Sequence, residues 1–410
     1  MELKCAYQTY HWGRAGSSSA VAQLVAAGQP EFTLSEETPY AELWMGTHGS
    51  GPSVLASSGQ PLADYIRENP QVLGERVLAK FGVQLPYLFK VLSVNTALSI
   101  QAHPSKSHAE ELHAARPTVY KDPNHKPEMA LALTPFEALC GFRPLEEIQH
   151  FLKAVPELSA AVGAEPAAAL LAVSAAEPAA RDRLCDCLQA LMTREPAEIG
   201  RQLDSLVARL SAPGDSAAGS DPLLPAELVL RLSQQYPGDV GCFCALLLNR
   251  LTLQPGQALF LGPNEPHAYL AGDCIEIMAC SDNVVRAGLT PKFKDVATLV
   301  SMLTYECRTA AQQLFLPTSG GGDERVQVFQ PPVPDFSLAK IQFVPEMENT
   351  EYTVPVRDSA SLLLVVSGSA TSGATVVGRG SVLFVPANEK VTLRLAGRQE
   401  VLMFQAFCQL

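Results

Sequence analysis

Three of the chain's eight histidines, His103, His108 and His113, fall within the stretch SIQAHPSKSHAEELH, residues 99–113. Imidazoles bunched this way invite a metal-binding reading. Their five-residue spacing, however, suits neither a strand face, which repeats every two residues, nor a helix face, which repeats every three or four. Pro104 divides the stretch. Before it, Gln101 and His103 are two apart in an extended segment and share a face. An amide oxygen and an imidazole nitrogen pointing together suit a divalent metal. After it, Ser105 is a good N-cap for a helix beginning with His108, Ala109, Glu110 and Glu111. On that helix His108 and His113 lie about 140° apart, so they are no i,i+4 ligand pair. Both are expected at the surface or in packing. Alone, the Gln-x-His pair is a weak signal, since such pairs commonly face solvent.

Two further stretches carry candidate chemistry. In YKDPNHKPEMALAL (120–133), Pro127 disfavours helix at Lys126, so the chain there is extended. Lys126 and Glu128 then share a face and His125 takes the other. An ordinary surface ion pair would look the same. In HAYLAGDCIEIMACSDNVVRAGLTPK (267–292), His267 and Tyr269 alternate onto one face. Glu276 lies inside the apolar run IEIMA, where a carboxylate is costly unless paired or ligated. Arg286 is likewise embedded among small and apolar residues. Polar groups this dense within buried texture mark a site.

Positioning such residues requires a large fold. At 410 residues the chain exceeds one ordinary core, and its length suggests two to three domains. Hydrophobic residues at 47% and charged residues at 18% describe a globular chain. A net charge of −12 argues against nucleic acid or an anionic membrane as the main partner. It leaves room for a phosphorylated small molecule in a local cationic pocket. The start, MELKCAYQTYHWGRAG, lacks the features of a signal peptide. The longest low-charge stretch, SAAVGAEPAAALLAVSAAEPAA, is broken by two Glu-Pro steps and reads as Ala-rich helix, not a membrane span. The ten cysteines form no C-x-x-C and are read as reduced, mostly buried thiols, in a chain expected to be cytoplasmic.

Residues 1–143 are rich in short β-type runs, among them YLFKVLSV (87–94) and ALSIQAH (97–103), with helical texture at 64–81 and 105–115. From 144 the period changes. In EIGRQLDSLVARL, Ile199, Leu203, Leu206, Val207 and Leu210 recur on one helix face. A loop is expected at APGDSAAGSDP (212–222), and ELVLRLSQQYPGDVGCFCALLLNRLTL reads as further helix to 252. β texture resumes at 253, and 326–410 is a series of short strands at the spacing of a sandwich or jelly roll. GQALFLGPNEPH (256–267) aligns with GSVLFVPANEKV (380–391), Gly, Leu, Phe, Asn and Glu coinciding. In this register His267 falls opposite Val391. Two related hairpins are expected, of which the first carries a ligand and the second does not.

HKPEMALAL and HAYLAGDCIEIMACSDNVVRAGLTPK resemble the two signatures of the type I phosphomannose isomerases, with an animal-type wording. PYAELWMGTH, LFKVLSV, SIQAHP, LCGFRP, QQYPGDVGCF and PPVPDF are similar to that family too. The resemblance runs from Trp12 to the end of the chain and is weakest in the helical stretch, which carries none of the candidate site residues. It implies a mainly β protein with a helical insert: a cupin-like jelly-roll catalytic domain (1–143 plus 253–310), an α-helical domain (144–252) and a second, degenerate jelly roll (311–410). It also implies one Zn²⁺ held by Gln101, His103, Glu128 and His267, with Arg286 as the catalytic arginine. The ligands are separated by 2, 25 and 139 residues, so only a tertiary fold can assemble them. One carboxylate among neutral donors would leave the metal Lewis acidic.

The implied reaction interconverts mannose 6-phosphate and fructose 6-phosphate through a cis-enediol and so supplies mannose 6-phosphate for GDP-mannose and glycosylation precursors. Arg286 would stabilise developing negative charge. Glu276, Lys126 and a water on the metal all stay open as the proton-transfer group. Ser99, Lys90 and Lys292 are candidates for the phosphate; a lysine within LFKVL needs a reason, although one snorkelling from an edge strand would suffice. Trp12, Tyr269 and Asp282 are expected to line the pocket and Trp44 to be core. A monomer is expected, with no nucleic-acid or membrane partner. Two alternatives remain: an iron-dependent cupin dioxygenase, which would favour a 2-His-1-carboxylate site, and a non-catalytic sugar-binding cupin.

Overall fold

The computed structural model of the protein describes residues 1–212, 221–319, 322–347 and 350–410. Most of the loop expected at 212–222 lies outside the described residues. Two β units flank a helical block. The first unit is built around Tyr87–Val94, whose eight residues pair antiparallel with Gly272–Ala279. Tyr87, Phe89 and Val91 face one apolar core, while Leu88, Lys90 and Leu92 point the other way, into the interior that becomes the site. Glu42–Met45 flanks this strand on one side, and Glu128–Ala132 lies beyond the His267–Ala279 strand on the other.

The long strand His267–Ala279 belongs to two layers at once. Its later residues pair with Tyr87–Val94 and Glu128–Ala132; its first residues pair with Phe136–Phe142 and, at His267, with Gln101. The turn between layers falls at Gly272. Its φ is +113°, and a Cβ there would lie 2.5 Å from the Pro135 carbonyl oxygen, so only glycine fits.

The C-terminal unit packs an eight-stranded sheet on a four-stranded one. In Ser361–Ser367, Leu362 and Leu364 face the core shared with the first unit, and Leu363 and Val365 face the sandwich interior. A strand buried on both faces reads as an unbroken apolar run, as SLLLVV does. Glu2–Lys4 pairs with Val382–Val385, and Val54–Leu55 pairs in turn with Glu2–Lys4, so both strands extend this C-terminal sheet. Three residues and two are too short to reveal a partner by periodicity.

The aligned segments match in conformation, but neither is the hairpin expected: Ala258–Leu261 pairs with Glu128–Ala132, and Val382–Val385 with Ser361–Ser367, not with the strand that follows. Gly256 and Gly380 have φ of 89° and 82°, and Asn264 and Asn388 have φ of 64° and 63°. Asparagine tolerates the left-handed region better than most residues. His267 enters the interior of the first unit, whereas Val391 packs on the apolar core of the second.

Helices from Leu145–Ala154 to Gly241–Cys244 form the insert, with Ile199, Leu203 and Leu206 buried as their spacing predicts. The expected helix to 252 ends early. Leu248–Leu253 is a strand paired with Phe136–Phe142, and its Leu251 and Leu253 point into the β core while Thr252 is exposed. The leucine-rich lead-in LLLNRLTL masked this two-residue alternation. Buried Glu137 ties the units together, bonding Arg231 of the insert and Arg250 Nε at 2.6 Å. Glu137→Gln leaves two guanidiniums short of their counter-charge and is expected to cost about 2–3 kcal/mol. A denaturant melt checks this; an unchanged midpoint would show that the pairs contribute nothing.

Candidate active site

The first layer of the site follows from strand register. Gln101 lies directly opposite His267 on one side and Arg286 on the other. Directly opposed residues of antiparallel strands project from the same face, so His267, Gln101 and Arg286 form a row. Lys90 is likewise opposite both Trp44 and Glu276. Glu128 shares the interior-facing side of its strand with Ala130, which is opposite Glu276.

His103, Glu128 and His267 converge, their ligating atoms all within 4.8 Å of one another, and all three are buried. His103 Nδ1 donates to the Asn283 carbonyl at 2.7 Å, and His267 Nδ1 donates to the Glu265 carbonyl at 2.9 Å. A carbonyl can only accept, so each ring presents an unprotonated Nε2 to the interior. These two nitrogens and Glu128 Oε2 have no hydrogen-bond partner. Each Nε2 is 3.4 Å from a Glu128 oxygen. Lone pairs facing lone pairs across an enclosed space are costly unless a cation sits among them. Two imidazoles and a carboxylate, with the Gln101 amide in the adjacent register position, suit zinc.

Burial pushes the His103 imidazole down to about 4, the Glu128 charge only partly opposing it. Burial alone would raise Glu128, but Lys126 and His103 outweigh it and hold the carboxyl well below its usual range. A neutral imidazole and an ionised carboxylate are the forms a metal needs. Lys126 Nζ is 3.1 Å from Glu128 Oε1.

Beside the cluster opens a cleft of about 640 Å³. Trp12, Ser99, Gln101, Lys126, Arg286 and Lys292 line it, as do Lys90 and Asp282. Arg286 is half-buried, its pKa lowered by burial alone, and it has no carboxylate partner among the described residues. Lys292 is exposed at the rim, and Ser99 Oγ donates to Gln101 Oε1 at 3.3 Å. Lys90 is buried between Glu42 and Glu276, at 3.3 and 3.2 Å, with its ammonium 4.9 Å from the Trp44 ring centre. Burial would lower its pKa, but the carboxylates prevail and raise it. Its charge is thus matched within the protein, which leaves Arg286 and Lys292 as the cleft's unmatched cations among the described residues. Glu276 is pushed up, first by burial.

Residues 1–145 match the phosphomannose isomerase type I catalytic domain and residues 162–248 its helical insertion domain. The whole chain is 48% identical to mannose-6-phosphate isomerase from Rattus norvegicus and to that from Homo sapiens, covering 98% of each. The chain belongs to the type I phosphomannose isomerases. A crystal structure of mannose 6-phosphate isomerase bound with zinc and yttrium superposes with a TM-score of 0.83 at 33% identity, over 100% of this chain and 99% of that one. The mannose-6-phosphate isomerase of Schizosaccharomyces pombe is 40% identical over the full chain.

Relative to the sequence reading, this phosphomannose isomerase differs at Tyr269 and Tyr236. Tyr269, expected in the pocket, is only 4% exposed and is not among the residues lining the cleft; it packs edge-on against Phe136, its ring 6.3 Å from that of His267. Trp44 packs in the core with Leu88 and Met278, as expected, and also borders the cleft, donating from Nε1 to Glu42 Oε2 at 2.6 Å. The helical insert, expected to contribute nothing, supplies Tyr236 to the cleft wall. Glu42 and His48 also line it, His48 lying 3.5 Å from Asp282 Oδ1. Glu42 carried the same signal as Glu276, a carboxylate inside an apolar strand.

The two remaining histidines of the opening stretch stand apart. Ser105 caps the Lys106–Ala115 helix by accepting from the His108 amide, and His113 Nδ1 bonds the Tyr120 carbonyl at 2.7 Å. His108→Ala and His113→Ala are expected to leave bound zinc unchanged by elemental analysis. Zinc loss from either would overturn the division of the stretch at Pro104.

Proposed function

We propose that the chain interconverts mannose 6-phosphate and fructose 6-phosphate by moving a proton between C2 and C1 of the opened sugar, with one zinc ion held by Gln101, His103, Glu128 and His267. The observation that carries this reading is the convergence of two Nε2 atoms and Glu128 Oε2, all buried and unpartnered, beside a cleft with unmatched cations. Zinc held there supplies Lewis acidity toward the sugar's oxygens. Arg286 stays cationic despite its burial and faces charge that develops on the enediol oxygens. Lys126, on the cleft wall next to Glu128, is the side chain we assign to move the proton between C2 and C1. Glu276 is set one row deeper and keeps Lys90 charged, so we assign it an indirect part in proton transfer. Lys292 and Ser99 receive the phosphate. Trp12 and Trp44 exclude water from the sugar's apolar face.

We read the enzyme as a cytoplasmic monomer. No helix of the described residues is long and apolar enough to cross a membrane. The ten cysteines are unpaired, in keeping with a reducing compartment. The test is a coupled assay for fructose 6-phosphate formed from mannose 6-phosphate. Activity is expected to disappear on chelation and return with zinc, without oxygen uptake. A folded, zinc-loaded sample that fails to isomerise would overturn the proposal, and oxygen consumption would favour the dioxygenase reading.

A further inference from the structure

The helical insert touches the cleft through one short segment, Gln235 to Gly241, and that segment grips both walls. On the first wall, Tyr236 OH donates to the Ala97 carbonyl and Gln235 Oε1 accepts from the Ala97 amide at 3.1 Å. Ala97 leads directly into Ser99 and Gln101. On the second wall, Asp239 Oδ1 accepts from the Leu289 amide at 2.7 Å and from Gly241 N at 2.7 Å, and its Oδ2 accepts from Thr290 N at 3.4 Å. Lys294 Nζ lies 3.7 Å from Oδ2.

The second wall needs this grip. Val285–Gly288, which carries Arg286, is a four-residue strand paired only with Ile100–Ala102 among the described residues. The chain then turns through Leu289 at φ +53°, a conformation that a branched side chain resists. Nothing in that residue favours the turn. The carboxylate that receives its amide does. The insert also approaches unusually closely, since a Cβ on Gly288 would lie 2.5 Å from Gly241 Cα.

We propose that Asp239 is a positioning residue for the isomerisation, holding the Arg286–Lys292 arm of the cleft in place from the helical insert, and that the segment Gln235 to Gly241 braces the two walls at a fixed separation. This rests on the role proposed for Arg286. Asp239 touches no substrate. Its effect passes through Arg286, for which a displacement of about 1 Å is worth a hundredfold in rate. Glu128 and His267 stand on other strands, and His103 is held by the Asn283 carbonyl ahead of the Val285–Gly288 strand, so the zinc ligands keep their own supports when Asp239 is lost.

The experiment uses the full-length, zinc-loaded enzyme and the variants Asp239→Ala and Asp239→Asn. Asp239→Ala is expected to lower kcat by roughly 10- to 100-fold with zinc content unchanged. Amide exchange of the 285–292 peptide is expected to speed up while that of 128–132 stays slow. Asp239→Asn, which keeps one acceptor oxygen, is expected to recover part of the loss. Adding Arg286→Ala to Asp239→Ala is expected to cost little beyond Arg286→Ala alone, because both changes remove the same contribution. A wild-type kcat in Asp239→Ala, zinc loss, or losses that multiply in the double variant would overturn the brace. If Asp239→Ala fails to fold, Asp239→Asn and the double-variant cycle built on it decide the matter. An inactive wild-type enzyme would instead overturn the isomerase reading, and the exchange measurement would still report on the brace.

Discussion

Glu128→Gln is expected to abolish stable zinc binding and with it nearly all isomerase activity. The substitution keeps the shape and removes the one anionic ligand of the set. The metal would then face only neutral donors, with Lys126 Nζ, now without its partner at 3.1 Å, adding a repulsive charge. Losing an outer partner of a ligand costs roughly 10- to 100-fold in metal affinity, and losing the charged ligand itself is expected to exceed that. Elemental analysis after dialysis against a weak chelator measures it, with the coupled assay alongside. His267→Ala should behave alike, since it removes one of the two inward Nε2 atoms. Full activity in a variant verified to be metal-free would end the metal assignment.

The second large effect is expected from Arg286→Ala: a folded enzyme with its full zinc content and a kcat lowered by about 10²–10³, the range for removing one preorganised donor to a developing oxyanion. Among the described residues the side chain has no carboxylate partner to strand, so the fold should tolerate the loss. Arg286→Lys is expected to recover little, because an ammonium cannot present a planar fork of donors. Were KM alone to rise, Arg286 would bind substrate and transition state equally, and the charge-stabilising role would be withdrawn.

The site was legible in sequence wherever a residue's type conflicted with its surroundings. A carboxylate in IEIMA and an arginine in NVVRAG announced themselves without any knowledge of partners, and the period of two placed Gln101 with His103 and Lys126 with Glu128. The resemblance joined these pieces across the gaps. What stayed hidden were contacts that depend on tertiary approach. Tyr236 ends an amphipathic helix whose own periodicity says nothing about a distant cleft. Trp44 sits in a strand where every residue is buried, so an aromatic that also borders a cleft looked the same as one wholly in core. Glu2–Lys4 carries too few residues to announce a partner. The aligned segments were the opposite case: Asn264 and Asn388 share a backbone conformation that the aligned sequences had already linked.

The pairing of Glu2–Lys4 with Val382–Val385 also bears on how the molecule comes into being. Leu3 lies opposite Val382, so on the ribosome the opening strand is finished long before its neighbour is made. Contacts of such separation form slowly, because the intervening chain must be ordered first. The eight-stranded sheet therefore closes only after Val401–Phe407 has been made. Until then its two-sided apolar strands have unfilled edges, the kind of surface that chaperones cover. A chain ending before 382 would leave Glu2–Lys4 without its partner strand and the shared core without Val382, Phe384, Phe404 and Ala406.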